Sequence, residues 1–238
     1  LARLYSFLML FMTAMLGIVM ADNLLLMWVF WELTSLSSFL LIGYWYQLSE
    51  ARKGARMALT VTGAGGLALL AGILVIGHIV GSYQFDDVLA AADQIRSHEL
   101  YPVALVLVLL GAFTKSAQFP FQFWLPHAMS APTPVSAFLH SATMVKAGVF
   151  LLARMHPVLA GTDLWFYIVS LTGLATLLYG AWFALMKQDL KGVLAFSTIS
   201  HLGLITLLFG FNSQMAAVAG LLHIINHATF KASLFMAA

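Results

Sequence analysis

The stretch Lys115–Pro126 reads KSAQFPFQFWLP and places a lysine, two glutamines and two prolines inside the apolar run Tyr101–Met129. Proline removes a backbone donor and clashes with the carbonyl four residues back, so a helix carrying Lys115 does not run straight through Pro120 and Pro126. The rest of the chain says what medium that helix occupies. Of the 238 residues 62% are hydrophobic and only 8% are charged, against roughly 25% charged in soluble domains. Such a chain belongs in a lipid bilayer. The alternative to helices in lipid is a closed barrel, whose strands alternate apolar and polar residues, and the sequence shows no such alternation. The fold class is therefore an all-α polytopic membrane protein with about eight transmembrane helices. They are read as Leu1–Met20, Asn23–Leu48, Arg56–Val80, Tyr101–Met129, Pro134–His156, Leu164–Met186, Leu190–Phe211 and Gln214 onward. The fourth is predicted to be broken near 115–126. Broken membrane helices are tolerated where protein or a water-filled cavity covers the freed backbone, and they often mark a translocation site. The plainer alternative is a proline kink.

The segments between spans add orientation. Gly81–Leu100 carries Asp86, Asp87, Asp93, Arg96 and Glu99 with Val88, Leu89 and Ile95 at helical spacing, which predicts a short surface helix acting as a connector. Arg3, Arg52, Lys53, Arg56, Lys187 and Lys191 fall on one side of the membrane and only Arg96 and Arg154 on the other. The positive-inside rule makes the first side cytoplasmic and the chain a multi-pass protein of the cell inner (plasma) membrane. Cysteine is absent, which excludes disulfides and thiolate or iron–sulfur sites from this stretch. No cofactor, metal site or nucleic-acid partner is expected. The chain begins with Leu1 and closes inside the apolar run Leu234–Ala238, which reads as a fragment open at both ends.

Of eleven lysines and arginines, eight lie in loops or at helix ends, leaving Lys115, Lys146 and Lys231 inside spans, with Glu32 as the one acid there. A charge near the bilayer centre costs at least about 2.5–3.5 kcal/mol, so four represent on the order of 10 kcal/mol that a mere anchor would not carry. Function is the default explanation. The bland alternatives are snorkelling of Lys115 or Lys231 to an interface, and a static pair that lets Glu32 orient helices. Burial disfavours the charged form of a group and a nearby opposite charge restores it. A Glu32–Lys115 pair that forms and breaks would therefore switch the lysine between holding and releasing its proton.

The last span reads HIINHATFK over His223–Lys231, and spacing of four puts His223, His227 and Lys231 on one stripe. Imidazole titrates near neutral pH and both accepts and donates, so the stripe suits a hydrated proton wire. Histidines bonded across a helix interface, or a haem-ligating pair, are the competing readings. His140 and Lys146 are six residues apart and face different neighbours. His201, among Ser197, Thr198 and Ser200, gives the seventh span a polar patch whose plain role is an interhelical hydrogen bond. Asp189 reads as a helix end, and Gly63, Gly65 and Gly66 read as close helix packing rather than a phosphate loop.

These residues carry a resemblance. Lys115–Gln122 (KSAQFPFQ), Trp124–Ala137 (WLPHAMSAPTPVSA), His140–Arg154 (HSATMVKAGVFLLAR), Asp189–Gly203 (DLKGVLAFSTISHLG) and His223–Phe235 (HIINHATFKASLF) resemble the antiporter-like subunits shared by respiratory complex I and the multisubunit Mrp cation/proton antiporters. Trp31–Trp45 (WELTSLSSFLLIGYW), with lysine at 146, is more similar to the large A-type subunits of the Mrp branch. The resemblance implies an inverted-repeat fold, with 1–156 as one five-helix repeat and 157–238 as the first three helices of a second. It implies proton-translocating roles for Glu32, Lys115, Lys146, Lys231, His140, His201, His223 and His227. It also implies a transporter subunit, not itself an enzyme, exchanging sodium or another monovalent cation for protons within a hetero-oligomeric membrane complex. A proton-pumping subunit of NADH:quinone oxidoreductase, or of a related membrane hydrogenase, is the alternative.

Overall fold

The computed structural model describes residues 2–238, which form helices and turns with no strand among them. The first three helices are α1 (Ala2–Met20), α2 (Leu24–Ile42) and α3 (Ser49–Val80). Asn23 starts α2 by accepting the backbone N–H groups of Leu25 and Leu26 at 2.9 and 3.2 Å, which satisfies donors that have no intrahelical partner. The sequence extends the second span to Leu48, but α2 stops at Ile42 and a turn carries Trp45 and Tyr46 outward, 43% and 54% exposed. Aromatic side chains of this kind favour the membrane–water interface, and this is why an apolar composition did not here mean helix. At 32 residues, α3 runs about 48 Å, so it overshoots a hydrocarbon core of about 30 Å.

The connector forms two short helices, α4 (Phe85–Ala90) and α5 (Ala92–Ser97), rather than one. Phe85, Val88 and Ile95 are buried. Arg96 donates to the carbonyls of Pro157 and Ala160 at 3.0 and 3.2 Å, at a helix end where a cation also meets the negative pole of the backbone dipoles. The connector is thus fastened to a later helix.

The fourth span is α6 (Tyr101–Lys115), an irregular stretch, the short helix α7 (Trp124–His127) and a 3₁₀ turn, Ala128–Ser130. The fifth, read from sequence as continuous, is also interrupted: α8 (Thr133–Ala137) passes into a π-helical turn, Phe138–Ala142, before α9 (Met144–Leu159). Then follow α10 (Asp163–Met186), α11 (Leu190–Gly210) and α12 (Gln214–Ala237). Asp189 caps α11 by accepting the Gly192 N–H at 2.7 Å. α10 and α11 lie so close that a Cβ on Gly173 would collide with the Leu207 nitrogen, the small-residue contact that membrane helices favour.

Each of the eight spans read from sequence has its helix. Six segments are long and apolar enough to cross a membrane: α1, α2, α3, Thr133–Leu159, α10 and α11. The two that fall short by that measure are α6, cut at Lys115, and α12, whose apolar run is interrupted by His223, His227 and Lys231.

Candidate functional site

The break in the fourth span comes before either proline. Ala117 takes a left-handed backbone, φ +48°, the Gln118 N–H reaches the Phe113 carbonyl at 2.9 Å and the Ala117 N–H the Thr114 carbonyl at 3.4 Å. This is a Schellman closure of α6 with alanine where glycine is usual, at a cost of roughly 1–2 kcal/mol in backbone strain. The freed groups are met from inside the protein. Trp124 Nε1 donates to the Thr114 carbonyl at 2.9 Å, Gln118 Nε2 to the Ser116 carbonyl at 3.0 Å, and the Phe119 N–H to Thr176 Oγ1 of α10 at 2.8 Å. That is the condition for irregular backbone at membrane depth.

Lys115 is the last residue of α6 and is fully buried. Its ammonium donates to the Trp31 carbonyl at 3.0 Å and to Ser35 Oγ at 2.7 Å, both on α2, and lies 5.1 Å from the centre of the Trp31 ring. Glu32 follows Trp31 directly but points elsewhere. Its Oε1 rests against α3 without a hydrogen-bond partner among the described residues, and a Cβ on Gly66 would collide with it. Glu32 and Lys115 thus adjoin the same turn of α2 without forming an ion pair. Gly66 leaves the room that the carboxylate occupies.

A second group gathers where α9, α11 and α12 meet. The π-helical turn ends at Thr143, φ −121°, ψ −89°, whose hydroxyl donates to the Phe138 carbonyl at 2.6 Å. The Ser141 carbonyl is left facing inward, and Lys146 Nζ bonds to it and to His227 Nδ1. The ring of His227 lies 5.1 Å from that of His201, and His201 Nδ1 meets His223 Nε2 at 3.0 Å. Lys231, one turn beyond His227, is buried and donates to the Leu194 carbonyl at 3.3 Å and to Ser197 Oγ on α11. Between the two groups stands His140. It is fully buried, its ring 6.4 Å from that of Trp124, and neither nitrogen has a hydrogen-bond partner among the described residues. A buried polar group left unpaired costs about 1–3 kcal/mol, so these two nitrogens call for a partner.

Titratable side chains thus gather in two places, Lys115 with Glu32 among α2, α3 and α6, and Lys146, His201, His223, His227 and Lys231 among α9, α11 and α12, with His140 buried beside Trp124. The sequence pattern of one family covers residues 21–238. The chain belongs to the NADH:quinone oxidoreductase/Mrp antiporter transmembrane family. Among its relatives, the A/B-type subunit of a probable K(+)/H(+) antiporter of Rhizobium meliloti (strain 1021) is 68% identical over 236 residues, covering 99% of this chain and 24% of the relative. The A-type subunit of the Na(+)/H(+) antiporter of Bacillus subtilis (strain 168) is 51% identical over 244 residues, covering 98% of this chain and 30% of the relative. The solved Mrp complex from Dietzia sp. DQ12-45-1b superposes with a TM-score of 0.93 at 42% identity, over 98% of this chain and 25% of that one. The chain thus spans roughly a quarter to a third of these relatives, and it is a multi-pass membrane protein.

In this member of the antiporter family, Lys146, His201, His223 and His227 form one cluster with Lys231 beside it, and Lys115 stands beside Glu32 at the other end. His140 lies on the Trp124 side and Lys146 on the α12 side, the divergence that their spacing predicts. Sequence reasoning passed over Trp31 and Ser35 as the acceptors for Lys115, and Ser141 as one for Lys146. Ser35 was detectable: it lies three residues after Glu32 on α2, in a serine-rich run in an apolar span. Gln118 and Gln122 are buried, each with a side-chain carbonyl lacking a partner among the described residues.

Proposed function

We propose that this chain is the proton-conducting part of an antiporter subunit that exchanges a monovalent cation, sodium or potassium, for protons within a hetero-oligomeric membrane complex. The observation that carries this reading is the burial of Lys115, Lys146, Lys231, His140 and His227 in apolar helices, with the half-buried His201 and His223 beside them. The names of the relatives support cation/proton exchange over redox-driven pumping.

In the proposed cycle, Lys115 holds a proton while Glu32 is charged beside it and releases the proton when Glu32 is neutralised or moves away. The proton passes by way of His140 to Lys146, then to His227 and His201, with His223 and Lys231 extending the line along α12. Each imidazole accepts on one nitrogen and donates from the other, so a proton moves along the row without net displacement of a side chain. Residues 1–156 act as one five-helix repeat, and 157–238 open an inverted second one. The ends bearing Arg52, Lys53, Arg56, Lys187 and Lys191 face the cytoplasm of an inner membrane. A cysteine introduced at Lys53 is then labelled by an impermeant maleimide in everted vesicles and not in intact cells; the reverse pattern overturns the orientation.

Glu32→Ala and Lys115→Ala, each made in the full-length assembled complex, are expected to abolish gradient-driven exchange in everted vesicles, read by dye quenching, while the complex assembles normally. Exchange at the wild-type rate in either variant contradicts the scheme.

A further inference from the structure

At the end of the bundle remote from α4 and α5, α1, α2 and α3 enclose a cavity of about 240 Å³ that no part of the proposed proton line touches. The cavity is lined by the exposed Arg3, Arg52 and Arg56 together with Phe39, Leu40 and Gly43. The three guanidinium groups are held in place without being neutralised. Arg52 Nη1 donates to the carbonyls of Tyr46 and Gln47 at 2.7 and 3.0 Å, and Arg56 Nε donates to the Arg52 carbonyl at 3.3 Å. Arg3 lies over the rings of Phe7 and Tyr46, 5.3 and 5.5 Å from their centres. A guanidinium has five N–H donors, so each arginine keeps donors in reserve. None of the three is ion-paired among the described residues; the nearest acid in sequence, Glu50, pairs instead with Lys53 at 3.3 Å.

We infer that this cavity binds the phosphodiester headgroup of an anionic phospholipid, with an acyl chain lying along the Phe39 and Leu40 wall. Three arginines without counter-charge call for an anion, and planar guanidinium groups pair bidentately with phosphate oxygens. The place calls for a lipid. The exposed Trp45 and Tyr46 mark the level of the membrane–water interface, where basic pockets between helices take lipid headgroups. A soluble anion would have no use for the apolar wall beneath the charges.

The test uses the full-length protein in its assembled complex, purified in mild detergent from membranes containing phosphatidylglycerol and cardiolipin, with retained lipid measured by native mass spectrometry. The Arg52→Gln/Arg56→Gln variant and Arg3→Gln are each expected to lose about one retained anionic phospholipid per complex, whereas Lys53→Gln on the same surface retains it. Delipidated wild type is expected to recover the lipid from phosphatidylglycerol nanodiscs and not from phosphatidylcholine ones. Equal retention in the arginine variants and wild type overturns the proposal. So does displacement of the lipid by millimolar inorganic phosphate, which would mark a soluble-anion site.

Discussion

The two ends of the buried line hold their lysines by different means. Lys115 ends α6 and is gripped by the Trp31 carbonyl, the Ser35 hydroxyl and the face of the Trp31 ring, with the carboxylate of Glu32 on the residue after Trp31. Lys146 and Lys231 pair with no acid among the described residues; their partners are an imidazole, a hydroxyl and two backbone carbonyls. The first arrangement sets a lysine against a charge that can come and go, which is what a switch requires. The second sets lysines among groups that accept and donate alike, which is what a relay requires. The two also differ in backbone. Lys115 sits at a helix end closed by the left-handed Ala117 and Lys146 just after the π-helical turn Phe138–Ala142, and such interruptions recur at functional sites.

The contrast breaks first at the relay. His227 is the imidazole that touches Lys146, whereas His223 is reached only through His201. His227→Leu is expected to lower exchange on the order of 10²-fold, and His223→Leu to lower it far less, because His201 lies close to His227 without it. Rates from solid-supported-membrane currents that fall equally in the two variants would remove the ordering. The switch end gives a smaller effect. Gly66→Ala places a methyl where the Glu32 carboxylate now rests and should displace that flexible carboxylate, lowering exchange by roughly tenfold. The amount of assembled complex, read by blue native gel, should stay unchanged. Undiminished exchange would show that Glu32 does not act from its place against α3.

Most of the fold was legible in the sequence because bilayer-spanning helices announce themselves by composition, and the buried lysines and Glu32 stood out because their cost in lipid demands a reason. The stripe His223, His227, Lys231 was legible for the same kind of reason: a spacing of four fixes a shared face before any tertiary contact is known. What sequence did not disclose is how the first interruption is made and that there is a second. Pro120 and Pro126 drew attention to the fourth span, yet α6 ends at Lys115 through Ala117, a residue with no local preference for left-handed backbone. The π-helical turn around His140 has no proline or glycine within it to mark it, and it packs against α12, a helix distant in sequence. The direction of Glu32 likewise depends on Gly66 in the next helix. Close packing at Gly65 and Gly66 is visible in their composition; that one of them makes room for a carboxylate is a tertiary fact.

In the proposed path the two regions are joined through His140. His140→Leu keeps a similar volume in a fully buried position and removes both ring nitrogens. Measured in everted vesicles carrying the assembled full-length complex, this variant is predicted to show no gradient-driven exchange while Lys115, Lys146 and the histidine cluster remain intact. Exchange at the wild-type rate would show that the switch and the relay are not joined through His140, and would contradict the central claim.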